Sequence, residues 1–553
     1  MSSNSLWLVL YRMRAPLVAV ITTYAIAIIG LTSIEGVDDA GEPYYLTIFD
    51  ALYFLSYTAT TIGFGEVPYE FTYSQRLWVV VSIYMTVLAW AYCIGSVISL
   101  LQDKVFLSEI AKGKFIRKVK HIKEDFIIVL GFNAVTKEVI RQALKKQLRV
   151  IVIEKDALKV NALVLEGFVP QVPILKADVH DPKALETAGI KSPYCKGLVA
   201  LFQDDSLNLR ISLTAKILNP QVKLAVKSTT PNQSENLKDI GVEIIENPFE
   251  IIANQIDKAI NAPSLLKIQR WLYKSGSITT DELKPFPRGK YIVCGYGRMG
   301  KKMREVLEKN KIEASFIEID NKQTSQLSYN ERNDVVIANS DDRTVLTNAS
   351  IQEADAIIIG TNNDTTNLSI LATAKKLNPN LITIVRENEM EDFSIFQNSN
   401  IDYIFMPSRL LITKTTNALI RPMIDRFSKL LDQQNEQWGR KLITKLLTIS
   451  TRPHVVGLRI NCDEAPQITD HINLGKEIEL GTLLRSRRNR EHHNKIFALL
   501  LVRDNKDILL PSQKTKIQPS DAILFACNSE AKDDMQYIAQ NYDEFQYAIG
   551  YNL

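Results

Sequence analysis

Cysteine is scarce and scattered. The five cysteines (Cys93, Cys195, Cys294, Cys462 and Cys527) form no CxxC pair, which excludes a disulfide framework and a zinc ribbon and fits a reducing compartment for most of the chain. Net charge is only +4 and the basic residues are dispersed, so no nucleic-acid partner is expected. Low-complexity tracts are absent, and no small-residue cleavage motif follows the first apolar run, so no cleavable signal peptide is expected. Charge is also missing locally. Residues 16–34 and 77–101 carry none, in a chain that is 23% charged overall. At about 1.5 Å per residue, either run can cross a hydrocarbon core roughly 30 Å thick.

The flanks set the orientation. Arg12 and Arg14 precede the first run, and Lys104, Lys112, Lys114, Arg117, Lys118, Lys120 and Lys123 follow the second. Between the runs, the first is followed by Glu35, Asp38, Asp39 and Glu42 with no basic residue. The excess of basic residues on the inside then predicts a multi-pass protein of the cell (plasma) membrane with both termini cytoplasmic. Trp7, Tyr11 and Trp78 are placed as interfacial anchors. Residues 46–64 are mostly apolar but hold Asp50, and antiparallel flanking spans leave this segment no way to cross. It must enter the membrane and return, which non-helical backbone tolerates only when buried in protein or lining a water-filled path.

That segment ends in Thr61-Ile62-Gly63-Phe64-Gly65-Glu66. The hexapeptide resembles the selectivity filter of tetrameric potassium channels, with Phe64 where Tyr is commoner and Glu66 where Asp is commoner. The resemblance implies rings of backbone carbonyls around dehydrated potassium ions, with the Thr61 hydroxyl as the innermost ring. Aiming successive carbonyls at one axis favours glycine, hence Gly63 and Gly65. Phe64 is expected to point away from the axis and pack on a pore helix at about 48–58, without the hydroxyl with which Tyr would brace the filter. Glu66 is expected behind the filter, attracting cations. One chain supplies a quarter of each ring, so a homotetramer is implied. The second span is expected to be the pore-lining helix, with its glycine, Gly95, either a bending point for gating or a close-packing site. Neither span has the regularly spaced arginines of a voltage sensor.

The remainder contains a repeat. "FIIVLGFNAVTKEVI" followed by "VIVIEKD" matches "YIVCGYGRMGKKMREVL" followed by "SFIEIDN", with Gly131 and Glu154 at the same spacing as Gly295 and Glu318. Further on, Asn208 and Pro220 match Asn367 and Pro379 at a constant offset. Each copy alternates strands with helices, as a doubly wound α/β unit does. In the second copy Gly295-Tyr296-Gly297-Arg298-Met299-Gly300 completes the dinucleotide fingerprint: Gly295 for the turn, Gly297 for phosphate approach and Gly300 for close packing. Glu318 is spaced to hold ribose hydroxyls, and Arg386 is a candidate phosphate contact. The first copy has Asn133 and Thr136 in place of the second and third glycines, which narrows any phosphate approach and leaves Glu154 to packing or another ligand.

Pore and repeat together resemble two-span potassium channels with tandem regulator-of-conductance-of-potassium (RCK) domains. The fold expected is an α-helical membrane pore domain (two spans plus a re-entrant pore helix) followed by two α/β Rossmann-like RCK units. The expected boundaries are 1–106 for the pore, 107–280 for the first RCK domain, with a reduced C-terminal lobe near 242–273, and 281–553 for the second, with lobes at 288–408 and 440–530. The family implies a cytoplasmic ring of eight units under a homotetrameric pore, tethered through residues 102–123. The ligand is left open among NAD, an adenine nucleotide and calcium, the last through Glu387 and Glu389 beside Glu391 and Asp392. His180, beside Asp178 and Asp181, is a weaker metal candidate. The function expected is a ligand-gated potassium channel, not an enzyme. The alternatives are a nucleotide-regulated potassium transporter subunit and a membrane-anchored NAD-dependent oxidoreductase.

Overall fold

The computed structural model describes residues 3–274, 286–320 and 335–550. The chain divides into two compact units, 1–122 and 123–553. The boundary expected at 106 falls inside a helix of the first unit, and the one expected at 280 lies outside the described residues.

In the first unit, α1 (Ser3–Ser33) and α3 (Tyr73–Gln102) are the two long apolar helices, each with a membrane-spanning window of mean hydropathy 2.0. The short strands β1 (Gly36–Val37) and β2 (Pro43–Tyr44) pair antiparallel between them. The re-entrant helix α2 (Ile48–Ala59) starts with a capping box. The Thr47 hydroxyl accepts from the Asp50 amide while the Asp50 carboxylate accepts from the Thr47 amide, which accounts for a carboxylate in this apolar stretch. Trp78 is not simply an interfacial anchor: its indole N–H donates to the Ala27 carbonyl at 3.1 Å, and the ring fills the space a side chain at Gly30 would need. Trp90 likewise donates to the Tyr24 hydroxyl at 2.9 Å, so two tryptophans of α3 fasten it to α1. The side chain of Trp7 lies outside the described residues, and Tyr11 is exposed. Residues 104–121 form a further helix, α4 (Lys104–His121), whose N-terminal amides at Val105 and Phe106 are capped by the Asp103 carboxylate.

The second unit is built on two six-stranded parallel sheets of one topology. The first runs β5 (Ile174–Lys176), β4 (Arg149–Glu154), β3 (Phe126–Leu130), β6 (Cys195–Ala200), β7 (Lys223–Lys227), β8 (Ile244–Glu246). The second runs β11 (Val335–Ile337), β10 (Ala314–Glu318), β9 (Tyr291–Cys294), β12 (Ala356–Ile359), β13 (Ile382–Arg386), β14 (Tyr403–Phe405). Both follow the 3-2-1-4-5-6 order of the doubly wound fold, whose ligand crevice opens outside the carboxyl ends of the central strands. The central strands β3 and β9 are buried at every residue, as helices on both faces require. In the helix after β9, Met299, Met303, Val306 and Leu307 make the buried stripe and Lys301, Lys302 and Glu305 the wet face.

The segment expected as a reduced lobe of the first copy is instead a crossover. Phe249, Ile252, Ala253 and Ile256, on the helix Pro248–Asn261, bury against Tyr291, Tyr296, Met299 and Met303 of the second copy. Reciprocally, Leu411, Ile412 and Ala418, on Pro407–Ile420, join Val129, Val139 and Ile140 in the core of the first. Each copy thus closes the hydrophobic core of the other. A four-stranded antiparallel sheet, β15 (His454–Arg459), β18 (Ala522–Cys527), β16 (Ile496–Arg503) and β17 (Lys506–Leu509) in spatial order, forms the C-terminal lobe.

Candidate functional site

Two places carry chemistry. The first follows the pore helix. Thr61, Gly63 and Gly65 have φ of 64°, 67° and 72°, so positive φ recurs at every second residue. That alternation flips successive peptide planes and turns their carbonyls to one side of the strand, the arrangement a cation-coordinating column needs. Glycine adopts this backbone freely, whereas a β-branched residue such as Thr61 holds it against strain of about 1–3 kcal/mol. The amides of Ile62 and Gly63 both donate to the Tyr57 carbonyl, at 2.9 and 3.1 Å, tying residues 61–65 to the C-terminal turn of α2. Phe64 lies in edge-to-face contact with Tyr57, with ring centroids 6.0 Å apart, yet remains 63% exposed on the single chain. The expected loss of a tyrosine brace is offset elsewhere. Tyr53 donates to the Glu66 carboxylate at 2.9 Å, and Tyr57 to the Glu66 carbonyl at 2.8 Å. Gly95 is exposed, and a side chain there would meet nothing within 4 Å in the same chain.

The second place is a cleft of about 550 Å³ at the carboxyl ends of β9, β10 and β12. Gly295 turns at φ 98°. A side chain at Gly300 would meet the Gly295 carbonyl at 2.1 Å, so this third glycine exists for contact between helix and loop. A side chain at Gly297 would meet nothing within 4 Å and would project into open space. Gly297 is also the N-cap of the following helix, with no side chain on its first-turn amides, which leaves them free for an anion.

The first copy is built differently at this point. Asn133 Oδ1 accepts from the Thr136 amide at 2.9 Å, and the Thr136 hydroxyl accepts from the Asn133 amide at 2.9 Å. The two residues that replace glycines close a capping box on the helix end a phosphate would use. Glu154 and Glu318, in contrast, act alike. Glu318 accepts from the amides of Tyr296 (2.5 Å) and Asp320 (3.0 Å), and Glu154 from those of Phe132 (2.7 Å) and Asp156 (2.8 Å). Each is a clasp between the glycine loop and the end of the second strand, with a lone pair left on each oxygen.

Of the other fingerprint residues, Tyr296 turns its ring into the core against Phe316, and Met299 is buried at the cleft floor. Arg298 and Arg386 both line the cleft and stand over the ring of Phe249, at 4.9 and 5.6 Å from its centroid. Burial and the neighbouring Arg298 charge pull Arg386 down to about 10. It donates to Asn362 at 2.9 Å, while its Nε is buried without a partner. Phe249, which comes from the first copy's crossover helix, could not be found from spacing because it lies outside the second copy altogether. Asn367 and its counterpart Asn208 are buried staples, donating to the carbonyls of Arg386 and Lys227 at 2.9 Å each.

The expected metal ligands do not converge. Glu387 is fully buried with both carboxylate oxygens unpartnered, and burial pushes its carboxyl up to about 7. Glu389 is exposed, and Asp364 between them is occupied by the amides of Asn388 and Glu389. His180 is bonded to Asp178 at 2.6 Å in an exposed turn. Among the described residues no group of three or more metal-ligating side chains occurs.

A family model described as an ion channel matches residues 17–103, and the TrkA-N domain model matches twice, over 127–248 and 291–407. The chain carries an ion-channel domain and two TrkA-N domains. With its two apolar helices, the ion-channel domain makes this a membrane protein. Potassium channel protein 1 of Methanocaldococcus jannaschii is 22% identical over 256 residues, covering 46% of this chain and 72% of that protein. An uncharacterized protein of Methanothermus fervidus is 26% identical over 245 residues, 44% of this chain, and the match spans only 37% of the relative's length. The solved structure of the GsuK channel superposes with a TM-score of 0.51 at 14% identity, covering 99% of both chains.

Proposed function

We propose that the chain is one subunit of a homotetrameric potassium-selective channel whose conduction is set by a nucleotide of NAD or ADP type bound at the second TrkA-N domain. The observation that carries the conduction half is the recurrence of positive φ at Thr61, Gly63 and Gly65 directly after a capped re-entrant helix. Four such strands around an axis supply rings of carbonyls matched to a dehydrated potassium ion, and Thr61 through Glu66 are the residues that line or back that column. The nucleotide half rests on the uncapped helix at Gly297, the Glu318 clasp with free lone pairs, and two cleft arginines. Both termini are cytoplasmic in this reading, and eight TrkA-N domains form a ring whose shape changes with the ligand. Conduction responds only if the nucleotide binds two shapes of that ring with different affinity.

The test is potassium flux into liposomes that contain this protein alone, with NAD, NADH, ADP, ATP and calcium added singly. Flux altered by a nucleotide is the expected result. Absence of flux from protein shown to be tetrameric would favour a transporter subunit, and flux altered by calcium alone would reassign the ligand.

A further inference from the structure

The helix that follows the second span carries six lysines and arginines against one acid, Glu109. We propose that α4 lies against the headgroups of the leaflet at which α3 ends and binds anionic phospholipid there through Lys112, Lys114, Arg117 and Lys120.

The placement starts from the backbone. α4 is not a continuation of α3. Asp103 joins the two with extended backbone, at φ −70° and ψ 117°, and its carboxylate caps α4, so the chain turns between two separate helices. α4 then lies against both α1 and α3 within one compact unit, which keeps it beside the spans.

Its surface changes character along its length. Leu101, Val105 and Leu107 are exposed, so the apolar surface of α3 runs on into the first turn of α4. From Lys112 to the end of the helix every exposed residue is basic: Lys112, Lys114, Arg117, Lys118, Lys120 and His121. At about 1.5 Å per residue, Lys112 stands only about 8 Å along the axis from Leu107. Apolar surface followed within that distance by cations is the order in which a leaflet presents hydrocarbon and then headgroups. Lys114, Arg117, Lys118 and His121 also share one stripe at spacings of three and four, while Phe115 and Val119 are buried. Among the described residues, Lys112, Lys114, Arg117 and Lys120 make no ion pair. Basic residues after a span set its orientation by their number alone. Orientation does not require them on one exposed stripe or an apolar approach to it, whereas a lipid site requires both.

Anionic headgroups supply the charge that the helix lacks, and each Lys or Arg at such a surface strengthens binding by about fivefold. Lipid bound here sits on the stretch that joins the ion-channel domain to the first TrkA-N domain.

The experiment titrates a fluorescent phosphatidylglycerol, and its phosphatidylcholine counterpart, into the purified full chain in neutral detergent. The proteins are wild type, K112Q/K114Q/R117Q/K120Q and the charge-keeping K112R/K114R/R117K/K120R. Wild type is expected to bind phosphatidylglycerol at least about tenfold tighter than phosphatidylcholine at about 50 mM salt, with the preference shrinking at about 500 mM as the charges are screened. The glutamine variant should lose the preference and the charge-keeping variant retain it, which a folding defect would not do. Equal preference in wild type and the glutamine variant places the lipid elsewhere and overturns the proposal, as does wild-type protein that binds the two lipids alike.

Discussion

The Tyr53 hydroxyl donates to Glu66 Oε2 at 2.9 Å, reaching from α2 to the residue just past the strand 61–65. Tyr57, one helical turn on, donates to the carbonyl of the same glutamate at 2.8 Å. The strand 61–65 is therefore tied down just past its end by two hydroxyls from α2. Y53F should leave tetramer and conduction in place but lower selectivity for potassium over sodium by about fivefold, the effect of one ordinary hydrogen bond. Y53F/Y57F should lower it further. Permeability ratios in planar bilayers check this, and wild-type ratios in the double variant would show that the anchors do not shape the filter.

Glycine at positions 63 and 65 is required by backbone, not by space. Neither hypothetical side chain would meet a neighbour within 4 Å, but both residues sit at positive φ. An alanine there costs roughly 1–2 kcal/mol per residue, and in a tetramer the strain recurs four times around one axis. G63A and G65A should each abolish selective potassium current while the protein still reaches the membrane. Normal selective currents would remove this stretch from the conduction path.

At the second domain, Gly297 faces open space at an uncapped helix end, so an added carboxylate would occupy the place of a phosphate. G297D should weaken ADP binding by at least about a hundredfold through lost contacts and like-charge repulsion, without loss of fold. Unchanged affinity would move the ligand elsewhere. The mirror experiment uses the first domain. N133G/T136G removes the capping box and should destabilise that helix by about 1 kcal/mol or more, which thermal unfolding can read.

Much of this was legible in the sequence because local patterning carried it. Apolar length gave the two spans, and glycine spacing gave the turns at Gly63, Gly65 and Gly295, where a positive φ or a close approach leaves little choice of residue. The repeat pointed to two sheets of one topology. What could not be read depended on contacts across sequence. Tyr53 and Glu66 are brought together only by the return of the chain after α2. Glu318 looks like a ribose ligand by spacing, yet it turns back to clasp a loop amide just as Glu154 does. The helix Pro248–Asn261 reads as part of a reduced lobe because its apolar stripe says that it buries a face, not which domain it buries it against. Thr61 at positive φ is the reverse case: residue type argued against a backbone that the surrounding hydrogen bonds impose.

The buried carboxyl of Glu387 gives a pH signature. With both oxygens unpartnered, its group is pushed from 4.5 up to about 7, chiefly by burial, with the charges of Asp364 and Asp392 adding and Arg409 opposing. A raised carboxyl pKa means the folded state holds the proton more tightly than the unfolded state. No penalty therefore exists below about pH 4.5; it grows between there and pH 7 and is complete above. E387Q keeps the shape and removes the ionisation. At pH 8 it should stabilise the second unit by about 1–2 kcal/mol, less than the full shift because the structure around a buried carboxylate relaxes. At pH 4.5 or below, wild type and variant should unfold at the same temperature. Thermal denaturation of both proteins at the two pH values decides the matter: equal stability at pH 8 would mean that Glu387 finds a partner or solvent in the folded protein, and that its burial does not bias the loop after β13.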